Sequence, residues 1–228
     1  PKTYFEKIQA VLKKYDVLMI ADEVICGFGR TGNMWGSQTF GIKPDILTCA
    51  KALSSAYLPI SAVMISEEIF QGLRGNSEKL GLFGHGYTYS AHPACAAVAV
   101  RTQELMQERD IIGHVKAVSP HFQNRIATLG DHAMVGQARG VGLIGAVEIV
   151  ADKASKRSYD PAAKVGALIQ NAAQEHGLIT RAMPGDILGF CPPLIISPSE
   201  IDEMFDRFTR ALDETEMQLK QQGASAAQ

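Results

Sequence analysis

The sequence predicts an α/β fold, with buried strands of the open parallel-sheet kind in the first half and an α+β unit in the second. Three observations carry that prediction. Residues 17–21 (VLMIA), 46–50 (ILTCA) and 61–65 (SAVMI) are short apolar runs, and the first is the unbroken kind expected of a strand buried on both faces. Residues 4–15 and 93–108 carry helical patterns before and after those runs. Near residues 110–113 the character changes, and the β-like stretch MVGQARGVGLIGAVEIV at 134–150 then lies between helical segments.

Each element has a local reason. The first helical pattern puts Phe5, Ile8, Val11 and Leu12 on one face. Residues 26–44 hold five glycines and one proline and read as a long, pliable loop. A short helix is expected at 67–73 and a polar, glycine-rich loop at 76–86. The helix at 93–108 opens on Pro93, a residue favoured in the first helical turn. A helix is expected at 115–129, and another at 161–176 closed by Gly177. β-like pieces at 178–180, 187–190 and 194–196 lead to a long amphipathic helix at 199–219. Its N-cap is Ser197 or Ser199, with Glu200, Asp202 and Glu203 in the first turn. Residues 221–228 (QQGASAAQ) read as a frayed end. The expected domains are 1–113 and 114–228.

Composition narrows the function. With 228 residues, 46% apolar and 20% charged, the chain can bury a sizeable core. A net charge of -2 without a basic block argues against nucleic acid and anionic membrane surfaces. No apolar run reaches the ~18–20 residues of a membrane-spanning helix. The N-terminal PKTYFEKIQA is not a signal peptide. Four scattered cysteines suit a reducing cytoplasm and argue against a thiolate metal site, and the six histidines lack ligand spacing. A chain beginning with Pro1 and entering a helix at once reads as a piece of a longer protein.

Residues 20–32, IADEVICGFGRTG, spell G-x-G-x-x-G after a strand, the lettering of a dinucleotide turn. Such a turn must open a helix at once, because the pyrophosphate sits on that helix's N-terminus. NMWGSQTFGIKPD follows instead, and the acidic residue expected at the end of the next strand is absent. The dinucleotide reading fails. Asp22 directly follows one buried-type strand and Lys51 another. In an open parallel sheet, ligands bind outside the carboxyl ends of the strands. A carboxylate and an amine there suggest imine chemistry on a cofactor with a pyridine ring. A plain strand-end ion pair, or two solvated charges, is the alternative that spacing alone leaves open.

Three ordered strings carry a resemblance: ADEVICGFGRTG at 21–32, KPDILTCAKAL at 43–53 and GYTYSAHPAC at 86–95. With RGVGLIGAVEI at 139–149 and CPPLIIS at 191–197, the sequence resembles the class III aminotransferases along essentially its whole length. The second half looks most like the ω-amino acid and amine:pyruvate branch. The resemblance implies a fold type I large domain with a mostly parallel sheet, a small C-terminal α+β domain, and pyridoxal 5′-phosphate as cofactor. Residues 1–113 would be the C-terminal part of the large domain and 114–228 the small one.

It also implies roles. Asp22 would pair with the pyridine nitrogen, and an anion there keeps the ring protonated. Val24, two residues on and so on the same strand face as Asp22, would pack against the ring. Lys51 would bind the cofactor covalently and shuttle the proton. Tyr87 and Thr88 would reach the cofactor phosphate of the other subunit of a homodimer with shared active sites. Arg181 falls where ω-transaminases carry a mobile arginine for the substrate carboxylate, a task suited to a bidentate guanidinium. Pro184 before Gly185 departs from that pattern and puts the arginine's loop in question.

The implied reaction moves an amino group from an amine or ω-amino acid to a keto acid such as pyruvate, in the cytoplasm. Rivals are a glutamate-semialdehyde aminomutase, a dialkylglycine decarboxylase and a non-enzymatic truncated relative. Family members run to roughly twice this length, and the missing half would supply the phosphate-gripping turn and much of the pocket. The chain alone is therefore expected to be inactive. Trp35, Cys49, His85 and His92 read as structural.

Overall fold

The computed structural model describes residues 2–226, and side chains as far as residue 221. The chain divides into two compact units, Pro1–Gly113 and His114–Gln228.

The first unit opens with α1 (Tyr4–Lys14), followed by β1 (Ile20–Asp22), α2 (Gly36–Phe40), β2 (Ile46–Cys49), a 3-10 turn (Lys51–Leu53), β3 (Ala62–Ile65), α3 (Glu67–Leu80) and α4 (Pro93–Glu108). The sheet order is β1-β2-β3, with β1 parallel and β3 antiparallel to β2. A small core of Phe28, Leu47 and Cys49 lies beneath, with Trp35 meeting Phe28 edge-on at 4.9 Å.

Several expectations are corrected here. The strand read at 17–21 is shorter and shifted, and Val17, Leu18 and Ile20 are exposed rather than buried on both faces. Among the described residues β1 stands at the edge of its sheet and pairs with β2 alone. The helix expected to stop at residue 73 continues to Leu80, past Gly72 and Gly75, and closes at Gly81 with φ +72. Ser66 caps it, accepting from the Ile69 N–H, with Glu67 and Glu68 in the first turn, and these signals outweigh the glycines. The loop of residues 26–44 is tied rather than pliable. Phe28 N–H donates to the Met34 carbonyl at 2.6 Å, and the Thr31 and Thr39 hydroxyls bond at 2.7 Å.

The second unit takes in most of α5 (Ile111–Leu129), then β4 (Val135–Val141), β5 (Ile144–Ile149), α6 (Val165–Glu175), β6 (Arg181–Met183), β7 (Ile187–Phe190) and α7 (Pro198–Ala226). Its antiparallel sheet is ordered β4-β5-β7-β6. Val147, Ile149, Leu188 and Phe190 bury one face of it, and α5 approaches at Gly145, where a Cβ would meet the Ile126 side chain. Phe122, Phe190, Phe205 and Phe208 join α5, β7 and α7 through ring contacts of 4.8–5.4 Å.

The helix expected across 161–176 is split, because Lys164 turns left-handed at φ +49. The pieces at 178–180 and 194–196 are not strands. Pro192 and Pro193 have no N–H for a ladder, and Ile196 N–H turns back to the Pro193 carbonyl at 3.1 Å. Ser197 is the N-cap of α7: its N–H and hydroxyl donate to Glu200, whose own N–H returns to the Ser197 hydroxyl. The helix continues beyond residue 219 to Ala226, so the expected frayed end is helical that far; residues 227 and 228 lie outside the described residues.

Candidate active site

β1 and β2 run parallel in the register Ile20↔Ile46, Ala21↔Leu47 and Asp22↔Thr48, so both carboxyl ends reach the same edge of the sheet. Neighbouring strands stand about 4.8 Å apart. Asp22 ends β1, and Lys51 follows β2 three residues beyond the partner of Asp22. The fold thus gathers the acid and the amine expected at adjacent strand ends.

Asp22 is exposed, and one oxygen, Oδ1, takes its local bonds: from Val24 N–H at 3.0 Å and from the Thr48 hydroxyl at 3.4 Å. Its Oδ2 has no partner among the described residues. Val24 does not lie on the strand. β1 stops at Asp22, and Val24 stands in a turn, half-buried, so the alternation argument for its direction does not apply. The Asp22 carboxylate sets that turn by holding the Val24 N–H.

Lys51 opens the 3-10 turn with φ +47, a left-handed conformation that costs a residue with a Cβ roughly 1–2 kcal/mol. Ser55 and Ala56 repeat it at φ +49 and +61. The Lys51 amine is exposed and makes no hydrogen bond or ion pair among the described residues. Backbone of this kind persists only where the surrounding structure determines it.

Glu23 is the residue that sequence reasoning missed. It is 2% exposed, and its carboxylate accepts Gly36 N–H at 2.8 Å and Ser37 N–H at 2.6 Å at the start of α2. Its own N–H donates to the Thr48 carbonyl at 2.9 Å, and its carbonyl accepts from Gly27. Glu23 therefore ties the end of β1, and so Asp22 and Val24, to the glycine loop. A charged residue following a buried run, with a glycine-serine pair downstream, was the available signal. No helix opens at the glycines, and α2 begins four residues after Gly32.

Cys49 is buried as expected, and burial pushes its thiol up, with the nearby Glu23 charge adding to the rise and a backbone hydrogen bond at Ala62 opposing it. Tyr87 and Thr88 lie on an exposed stretch before α4, where Tyr87 N–H donates to the Ser90 hydroxyl at 3.3 Å and its ring meets His85 at 5.7 Å. Neither bonds to Asp22 or Lys51 among the described residues. Thr88 stands outside the first turn of α4, which starts at Pro93. Arg181 belongs to the second unit. It opens the edge strand β6 instead of lying in a loop, and it is exposed. Pro184 falls in the turn after it, which Gly185 and Asp186 complete at φ +82 and +53.

The donor set fits a pyridoxal-type cofactor: an unengaged amine for its aldehyde and an unshared carboxylate oxygen for its ring nitrogen, on neighbouring strands. Comparison with known proteins agrees. The model of the aminotransferase class-III family matches residues 1–212. An uncharacterized aminotransferase, y4uB, of Sinorhizobium fredii is 50% identical over 206 residues, covering 90% of this chain and 44% of that protein. Gamma aminobutyrate transaminase 1, mitochondrial, of Solanum lycopersicum is 45% identical over 221 residues, covering 97% of this chain and 43% of that protein. The crystal structure of the omega transaminase from Pseudomonas jessenii in complex with PMP superposes with a TM-score of 0.91 at 49% identity, covering 94% of this chain and 47% of that one.

The fold is that of the fold type I, pyridoxal-phosphate-dependent α/β enzymes. Within that class, the chain belongs to the class III aminotransferases. It spans less than half the length of these three relatives.

Proposed function

We propose that this chain carries the cofactor-binding lysine of a transaminase that moves an amino group from an amine or ω-amino acid to a keto acid such as pyruvate. The observation that carries the reading is the placement of Asp22 and Lys51 at the carboxyl ends of adjacent parallel strands. In this reading residues 1–113 are the C-terminal part of the large domain and 114–228 the small domain. The protein acts as a cytoplasmic homodimer; its free cysteines accord with a reducing compartment.

Pyridoxal 5′-phosphate supplies an electron-accepting ring to which an amino group can be handed and from which it can be returned. Lys51 holds the cofactor through its amine and carries the proton that leaves and rejoins the substrate carbon. Asp22 would hold the ring nitrogen, its carboxylate favouring the protonated form, while its Oδ1 keeps the Val24 turn in place. Val24, held in the turn beside Asp22, would pack against the ring. Tyr87 and Thr88 bind the phosphate held by the partner subunit, which accords with the exposure of their segment. Arg181 binds the substrate carboxylate through its guanidinium fork.

The test is Lys51→Ala in the holoenzyme. The visible absorbance of lysine-bound cofactor disappears, and turnover falls by about 10²-fold or more, the scale of losing an acid–base group. An unchanged band would remove Lys51 from the mechanism.

A further inference from the structure

We propose that Gln103, on α4, is a positioning residue for Lys51. The inference rests on the reading of Lys51 as the cofactor-binding lysine, and it begins with the backbone that carries it. Lys51, Ser55 and Ala56 are left-handed non-glycine residues within one six-residue turn. Such a turn persists only if its surroundings determine it.

Most of its bonds are internal. Leu53 N–H donates to the Ala50 carbonyl at 3.0 Å, and Ser54 and Ala56 N–H to the Lys51 carbonyl at 3.2 and 3.3 Å. The buried Ser54 hydroxyl donates to the Leu58 carbonyl at 2.7 Å. These bonds shape the turn without fixing it to the rest of the unit. Among the described residues, one side chain from another element does so: Gln103 Nε2 donates to the Leu53 carbonyl at 3.1 Å, across fifty residues of sequence. Met106, one helical turn further along α4, packs with Ala52 and Leu53 against the Phe28, Leu47 and Cys49 core.

The amide orientation is determined by this contact. The Leu53 carbonyl can only accept, so the Gln103 NH2 must face it. At the other end Gln103 Oε1 is buried and has no partner among the described residues. A glutamine placed only to fill space would be replaced without loss by an apolar residue of the same length. The amide thus gives its donor to a carbonyl two residues from Lys51 and ties that turn to α4.

The experiment compares Gln103→Met and Gln103→Glu with the parent holoenzyme. Gln103→Met keeps length and packing but removes both the donor and the unpaired oxygen. Gln103→Glu sets an acceptor against the Leu53 carbonyl. Arg101→Ala, at an exposed position on the same helix bonded to Glu104 and Glu108, is the control. Cofactor is stripped, pyridoxal phosphate is added back, and capture is quantified by borohydride reduction and mass analysis of the peptide bearing Lys51. The pH midpoint of the visible band, kcat, KM and Tm are measured alongside.

A positioning role predicts that Gln103→Met keeps its Tm while capture at Lys51 and kcat each fall about fivefold, the scale of one neutral hydrogen bond, with KM unchanged. The band midpoint moves, and Arg101→Ala behaves as the parent. Parental capture and kcat in Gln103→Met overturn the inference whatever the Tm, and a lowered Tm beside them assigns the Leu53 bond a merely structural role. If Gln103→Glu fails to fold, Gln103→Met decides alone. Lys51→Ala in the same assay separates the two readings. Cofactor captured covalently at another lysine would refute the assignment of Lys51 itself, and with it the positioning role of Gln103. Loss of capture in Lys51→Ala beside parental capture in both Gln103 variants would refute the positioning role alone.

Discussion

Asp22 and Glu23 are adjacent carboxylates with opposite surroundings, and the difference separates chemistry from architecture. Asp22 is exposed at the strand end with one oxygen unshared, whereas Glu23 is buried on two backbone N–H groups. Asp22→Asn is expected to keep the urea midpoint of the parent and to lower kcat by about 10²-fold or more, the scale of removing one preorganised electrostatic partner. Glu23→Gln is expected to do the reverse first. It loses about 1.5–3 kcal/mol of stability, measured by urea denaturation, because one charge-assisted bond becomes neutral and the other is lost, the amide NH2 then facing a backbone N–H. A parental urea midpoint in Glu23→Gln would refute its anchoring role. Asp22 and Lys51 were legible from sequence because each is defined by the end of an apolar run. Glu23 was not, because its partners lie 13 and 14 residues away and only folding brings them to it.

At the scale of elements, caps were more reliable guides than glycines. α4 matches its expected bounds, with Pro93 at its first position. α3 overruns its expected end because Ser66 and its acidic first turn start it firmly, and Gly72 and Gly75 are tolerated inside. α7 starts at a reciprocal cap in which the Ser197 N–H and hydroxyl hold the Glu200 carboxyl below the usual carboxylate range. The sign follows from that depression. The contribution is present above the ordinary value of about 4.5 and is lost as pH falls through the lower value reached in the folded chain. The stability difference between the parent and Glu200→Gln should therefore be full at neutral pH and shrink on acidification below pH 4.5. Urea midpoints measured across pH check this, and a difference independent of pH would show that the cap acts without its charge.

At the scale of the whole molecule, exposed apolar surface is the main feature. Val17, Leu18, Ile20, Val63 and Met64 belong to strands of the first unit or the approach to them and are exposed, as are Leu80, Leu82 and Phe83 after them. Surface of this kind on a monomer signals an interaction site or an aggregation liability. Expressed by itself, the 228-residue chain is expected to self-associate and to bind a hydrophobic dye. Sedimentation as a monomer at about 10 μM without dye binding would refute that expectation.

By itself, the sequence determined what depends on neighbours along the chain: the apolar runs, the helix starts, the acid and lysine at strand ends, and the ordered strings that resemble class III aminotransferases. Tertiary structure alone decided the burial of Glu23, the left-handed backbone of Lys51, the bond from Gln103 to the Leu53 carbonyl, and the tight packing of a loop whose glycines suggested flexibility. Those depend on contacts between residues far apart in sequence, and no local pattern encodes which distant carbonyl or N–H a side chain will meet.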